Sequence, residues 1–119
     1  MTTSENISDK MDGFLKERSE HIGQKEAYLT SPSPQNHAAN LMSLADGSLA
    51  CVWFGGTQEG MADISIHFAR LERGAKKWNE TIKLVDDSTR SEQNPILFNA
   101  PDKSLWLFYT SQKSGNQDT

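Results

Sequence analysis

His37 is suited by type to carry a proton, because an imidazole titrates near neutrality; it follows the proline-rich stretch Ser31-Pro32-Ser33-Pro34 and precedes a strand. In that position it is either a general acid or base, or a solvated loop residue. Glu59 and Asp63 share a glycine-bearing loop that begins Phe54-Gly55-Gly56-Thr57-Gln58. Brought together and buried, two carboxyls raise the pKa of one of them, and Asp63 becomes an acid/base; the other reading is a turn aspartate that binds backbone amides. Arg90 sits among Asp86, Asp87 and Glu92, so it either grips an anionic group or pairs with those carboxylates. Asn94, in Asn94-Pro95, and Tyr109 stand at strand ends, where they either shape the chain or line a site. The glycine-rich loop lacks the lysine and hydroxyl of a phosphate loop. His21, His37 and His67 are scattered beside a lone Cys51, so no metal site or other cofactor is expected.

These residues need a scaffold, and the hydropathy pattern predicts strands. Residues 40–44 and 49–54 flank the turn Ala45-Asp46-Gly47-Ser48, a hairpin signal. Residues 63–71 alternate, with Ile64, Ile66 and Phe68 on one face and Ser65, His67 and Ala69 on the other, as in a half-buried strand. Residues 78–85 supply a fourth strand, completing an antiparallel meander, and residues 94–99 and 104–111 form a further hairpin. That hairpin repeats the first: Asp46-Gly47-Ser48-Leu49 lines up with Asp102-Lys103-Ser104-Leu105, 56 residues on. Asn40 and Asn94 are 54 apart, which predicts a two-residue insertion in one turn. The continuous apolar runs 49–54 and 105–109 read as strands covered on both faces. A four-stranded unit repeating at about 50 residues is a propeller blade; the alternative is a small β-sandwich. Trp53, Trp78 and Trp106 read as core rather than as sugar-stacking rings. Upstream, Ile7, Met11, Phe14 and Leu15 at helical spacing predict a helix over residues 8–20. The division that follows is residues 1–35 as helix and Pro/Ser linker, and residues 36–119 as a partial propeller.

Composition narrows the classes further. A chain of 119 residues, 35% hydrophobic and 24% charged, holds one modest core. The net charge of −4 with scattered basic residues gives no footprint for nucleic acid. No apolar run is long enough for a membrane span or a secretory signal, and a single cysteine fits a reducing compartment, so a cytoplasmic location is expected. The abrupt end in Ser114-Gly115-Asn116-Gln117-Asp118-Thr119 suggests a fragment whose open blade edges favour self-association.

Residues 37–119 resemble the start of the sialidase-like, BNR-repeat family, the proteins often labelled predicted neuraminidases. The resemblance rests on His37-Ala38-Ala39-Asn40, Asp46-Gly47-Ser48-Leu49, Trp53-Phe54-Gly55-Gly56-Thr57-Gln58-Glu59-Gly60 with Asp63, Ser91-Glu92-Gln93-Asn94-Pro95-Ile96-Leu97-Phe98 and Leu105-Trp106-Leu107-Phe108-Tyr109. It implies an all-β fold: part of a six-bladed propeller, with one four-stranded blade and half of a second. It also implies a glycan substrate or ligand, and hydrolysis of a terminal sugar, with Asp63 as acid/base. The family's carboxylate-binding arginine falls at or next to His37, and a neutral histidine does not reproduce that bidentate fork. His37 is instead expected to act as acid or base, with Arg90, Glu59 and Asn94 binding substrate. A propeller lyase using a histidine base and a non-catalytic glycan-binding or scaffold propeller are the alternatives. The family's aspartate box is degenerate over residues 71–78, which keep Trp78 but carry Leu71 and Arg73 in place of the serine and aspartate. The later-blade arginines, tyrosine and glutamate of sialidases have no counterpart here, so the chain alone is expected to be inactive.

Overall fold

A computed structural model describes residues 11–18, 20–58, 61–85 and 87–113. Among them there is no α-helix, and the eight strands are β1 (Lys16–Glu17), β2 (Lys25–Glu26), β3 (Gln35–Ser43), β4 (Leu49–Gly56), β5 (Ser65–Leu71), β6 (Ile82–Val85), β7 (Arg90–Asn99) and β8 (Leu105–Lys113). β3-β4-β5-β6 form one antiparallel sheet in sequence order, as the meander pattern requires, and β7-β8 form a separate hairpin.

β5 is buried on both faces rather than half-buried. Ile64 and Ile66 are inaccessible, and so are Ser65 and His67 on the opposite side. The reason is that both faces of the sheet are covered. On one face Leu97 and Leu107 of the β7-β8 hairpin pack against Ala50, Val52 and Phe68. Two hydrogen bonds pin that contact: the Leu97 amide donates to Asn40 Oδ1 at 3.0 Å and Asn99 Nδ2 donates to the Ser43 carbonyl at 2.7 Å. On the other face Cys51, Trp53, Ala69, Leu71 and Trp78 form a second layer, closed by Leu15, Ala27 and Leu29.

Those last three residues correct the expected helix. Residues 8–10 and 19 lie outside the described residues, but residues 11–18 run extended. Gly13 has φ +74°, a left-handed conformation that no right-handed helix contains. The segment is held as an extra edge: the Trp78 amide donates to the Gly13 carbonyl at 2.8 Å, and the Leu15 amide to the Lys76 carbonyl at 2.8 Å. A lone helix of that length is marginal in water, whereas Leu15, laid on the sheet with Ala27 and Leu29, covers Trp78 and Cys51. Of the residues at helical spacing Leu15 packs on the sheet, while Phe14 stays about half exposed with the Lys77 ammonium over its ring.

The two hairpins superpose bond for bond at a constant offset of 56 residues. His37 pairs with Phe54 and Asn40 with Val52, leaving Ala38 and Ala39 opposite Trp53 as a β-bulge; Gln93 pairs with Thr110 and Ile96 with Phe108, leaving Asn94 and Pro95 opposite Tyr109. Ala38 and Asn94 share the left-handed conformation, φ 52° and 54°. Asn94 therefore matches Ala38, not Asn40, and the expected two-residue insertion does not exist.

The turns repeat as closely. Leu44 and Ser48 exchange a backbone bond at 2.8 Å as Ala100 and Ser104 do at 2.9 Å, and the amides of Gly47 and Lys103 donate to Leu44 and Ala100. Ser48 donates through its amide and hydroxyl to Asp46 Oδ1, as Ser104 does to Asp102 Oδ1. Those hydroxyl and amide donors hold both carboxyls below the usual aspartate range. Gly47 has φ +88° and Lys103 φ +73°, so the second turn places a side chain where glycine is favoured. Lys103→Gly is expected to stabilise the fold by about 0.5–1 kcal/mol in urea denaturation, the relief of the left-handed cost less glycine's extra chain entropy. An unchanged or lower midpoint would contradict it.

The expectation that residues 105–109 are covered on both faces does not hold. Leu107 is half-buried against the first sheet, but Trp106 and Phe108 on the other side are exposed. Trp53 and Trp78 are core, as their positions suggest, and Trp106 is not.

Candidate functional site

The start of β3, the end of β4, the described loop residues 57–58 and 61–64 and the start of β7 meet at one end of the two hairpins. β3 and β4 pair there through Gln35–Gly56 and His37–Phe54. The loop returns to β5 through Ile64, whose carbonyl accepts the Glu92 amide at 3.1 Å. His37, Asp63 and Arg90 thus stem from elements that converge, while Glu59 lies outside the described residues.

His37 stacks on Phe54 with ring centroids 5.1 Å apart. Its Nε2 is buried without a hydrogen-bond partner among the described residues. A buried imidazole nitrogen normally finds a partner, because leaving it bare costs about 1–3 kcal/mol. His37 borders an open groove of about 330 Å³ shared with Ser31, Asn36, Cys51 and Trp53. Asn36 organises its wall: Oδ1 accepts from Trp53 Nε1 at 3.1 Å and from the Ser31 hydroxyl at 2.7 Å, and Nδ2 donates to the Ser33 carbonyl at 3.0 Å.

Asp63 belongs to a neighbouring groove of about 220 Å³, lined with Ser33, Thr57, His67 and Lys83 among others. Asp63 is exposed, and its Oδ2 accepts the Thr57 amide at 3.1 Å, closing the loop. His67 is 2% exposed. It stacks on Trp53 at 5.9 Å and its Nε2 is 3.4 Å from the Ser33 hydroxyl. Burial lowers its pKa, opposed by a hydrogen bond with the Gly55 backbone, so the ring is held neutral beside the Asp63 carboxylate and the Lys83 ammonium. The segment 31–36 is the common wall of both grooves.

His67 and Glu92 are the site residues that the sequence conceals. His67 reads as the polar face of an alternating strand, and only its cross-strand partner Trp53 signals a special place. Glu92 is 1% exposed, between buried Ser91 and Gln93, and its Oε1 accepts the Asp87 amide at 3.0 Å. Three consecutive polar residues at the start of a strand were the available signal. In the repeat, Glu92 and Gln93 occupy the positions of Asn36 and His37, so the same two steps before each bulge carry polar side chains, buried in the second hairpin and exposed or half-buried in the first.

Arg90 is half-buried, donates its amide to the Asp87 carbonyl at 3.0 Å and pairs with no described carboxylate within ion-pair distance. Asp87 is held below the usual range chiefly by the Thr89 hydroxyl and amide, with the charge of Arg90 contributing last. Asn94 is exposed and its left-handed φ accounts for its presence, since asparagine tolerates that region. Among the described residues no three of His, Cys, Asp and Glu are grouped to hold a metal ion.

Residues 47–119 match the model of the BNR repeat-like domain family. The match spans more than half of the chain, which therefore belongs to that family of sialidase-like, β-rich repeat proteins. Searches of curated proteins and of solved structures each returned no match.

Proposed function

We propose that this chain is a sialidase-like, glycan-processing protein of the exo-glycosidase type, acting on a terminal sugar at the end where loop 57–64 meets β7. The observation that carries the reading is a groove shared by an exposed aspartate and a buried histidine on a BNR-repeat scaffold. Asp63 is open to solvent and supplies the proton transfer at the glycosidic oxygen. His67, neutral at physiological pH, is placed to take up or return a proton in the same groove. His37 keeps a ring nitrogen with no partner among the described residues for a sugar hydroxyl or a proton, and Arg90 offers its charge to an anionic substituent. Glycoside hydrolysis uses two carboxyls about 5–9.5 Å apart, and the buried Glu92, whose backbone amide bonds the Ile64 carbonyl, is the candidate for the second.

The test is release of terminal sugars from a panel of defined oligosaccharides, with binding to the same panel measured in parallel. Asp63→Asn is expected to lower turnover by about 10²–10⁴-fold, the usual worth of a general acid or base, with binding retained. His37→Ala is expected to lower both. Binding with no turnover in the native protein selects the non-catalytic glycan-binding reading, which the structural role of Asp63 at the Thr57 amide favours. Neither binding nor turnover overturns the proposal.

A further inference from the structure

Ser33 is a nucleophile by type that the glycan reading leaves unused. Its hydroxyl oxygen lies 3.4 Å from His67 Nε2, and both partners are held in place. Ser33 stands between Pro32 and Pro34, whose rings fix their own φ and keep the serine extended. Its amide donates to the Ser31 hydroxyl at 3.2 Å and its carbonyl accepts from Asn36 Nδ2 at 3.0 Å, so the hydroxyl is the polar group of Ser33 turned to the ring. Gly55 allows the approach, because a Cβ there would meet Ser33 Cβ at 3.1 Å and Asn36 Oδ1 at 2.5 Å. His67 is buried and stacked on Trp53, whose Nε1 donates to the same Asn36 at 3.1 Å. The hydrogen bond between the ring and the Gly55 backbone favours the charged imidazole, which makes the ring its donor. Assigned to Nδ1–H, that bond fixes the tautomer in which Nε2 is bare and accepts from the serine.

We propose that Ser33 is a nucleophile activated by His67, and that this groove cleaves short-chain carboxylic esters by acyl transfer to water. A serine hydroxyl attacks well when a neutral imidazole takes its proton as the new bond forms, and the third member of such a set orients the base. The Gly55 backbone and the Trp53 ring do that here, and burial keeps the imidazole neutral. The groove of about 220 Å³ sets Pro32, Pro34 and Gly56 beside the hydroxyl, room for a short acyl group rather than a long chain. Lys83, the cross-strand partner of His67, brings positive charge to the same groove, where the ester carbonyl oxygen turns negative. In the first half Ser33 Oγ bonds to the acyl carbon and its proton passes to His67 Nε2. The ester C–O bond then breaks, and that proton leaves with the alcohol. In the second half water adds to the acyl-serine and gives a proton to His67; the carboxylic acid departs and the proton returns to Ser33 Oγ. The inference stands apart from the glycan reading, since the nucleophile and the bond cleaved differ and the His67 ring is what the two share.

The experiment treats the whole chain with a fluorophosphonate, which phosphonylates activated serines, and locates the adduct by peptide mass spectrometry. Hydrolysis of p-nitrophenyl acetate is followed on the same samples. A stoichiometric adduct on Ser33 and a burst of p-nitrophenol are expected. Ser33→Ala, at a half-buried position, is expected to keep native circular dichroism and to lose both. His67→Gln is expected to slow labelling by about 10²–10⁴-fold, the usual worth of a general base. Should that variant misfold, the pH profile of labelling in the native chain decides. With Asp63 and Lys83 the charged groups that share the groove with the ring, labelling levels off by pH 7 if a histidine of lowered pKa must be neutral. It climbs about ten-fold per pH unit throughout if the serine ionises unaided. No adduct on Ser33, an equally fast adduct in folded His67→Gln, a profile that climbs throughout, or undiminished ester hydrolysis in Ser33→Ala would each overturn the proposal. Sugar release without an adduct keeps the glycan reading and removes this one; an adduct without sugar release does the reverse.

Discussion

Gly56→Ala is expected to destabilise the protein by about 1–3 kcal/mol, the usual cost of overpacking, and to move the site loop. Gly56 ends β4, opposite Gln35, and is buried. A Cβ there would lie 2.8 Å from the Asp63 carbonyl oxygen and 2.8 Å from Ile64 Cδ1. The isoleucine methyl can rotate away, but the carbonyl cannot without displacing loop 57–64. The loop therefore lifts, and the bond from the Thr57 amide to Asp63 Oδ2 is the first to stretch. Thermal unfolding should fall by roughly 5–15 °C for a domain of this size. Hydrogen exchange at the Thr57 amide should accelerate more than at β5 amides, which report the global loss. Native melting with a protected Thr57 amide would show that the loop does not press on β4. If the loop carries Asp63 into the reaction, the same variant also loses turnover in proportion to the displacement, because a misplacement of about 1 Å costs on the order of 10²-fold.

The strands were legible because their burial is periodic, and the blade was legible because two turns share Asp-x-Ser spacing. Register across the repeat was not. Asn40 and Asn94 look equivalent by identity, yet the positions that match are Ala38 and Asn94, which share a backbone conformation and not a side chain. Asparagine at positive φ is a common signal; alanine there is costly and leaves none. The N-terminal segment failed for a related reason. Apolar residues spaced for one face of a helix serve equally well to cover a sheet, and the deciding feature, the left-handed Gly13, depends on Trp78 far away in sequence. For the candidate site, His37 and Asp63 were nameable from sequence because each lies where a loop meets a strand end. His67 and Glu92 were hidden because a buried polar residue and an exposed one look alike until the second sheet face is known to be covered.

That covering segment gives the other large expectation. Trp78→Ala removes the side chain at the centre of the layer formed by Cys51, Trp53, Ala69 and Leu71, at a cost of about 3–5 kcal/mol for a buried aromatic truncated to alanine. The loss falls mainly on residues 11–30, because Gly13 and Leu15 reach the sheet through residues 76–78 and Leu15, Ala27 and Leu29 pack where the indole stood. Cys51 lies beneath them, 9% exposed, with burial pushing its thiol pKa up. Releasing the segment opens the thiol and lets its pKa fall toward the ordinary value, and both changes raise the thiolate available to a disulfide reagent. Labelling of Cys51 at pH 8 is therefore expected to accelerate on the order of ten-fold or more. Ile66→Ala separates this local opening from general weakening. Ile66 is inaccessible in the cluster with Phe54 and Ile64 on the other side of the sheet, so its truncation costs about 2–5 kcal/mol without touching the segment over Cys51. Equal labelling rates in the two variants at matched stability would mean that Cys51 is reached only through global unfolding. Faster labelling in Trp78→Ala alone would establish residues 11–30 as a cover that opens independently of the sheet beneath.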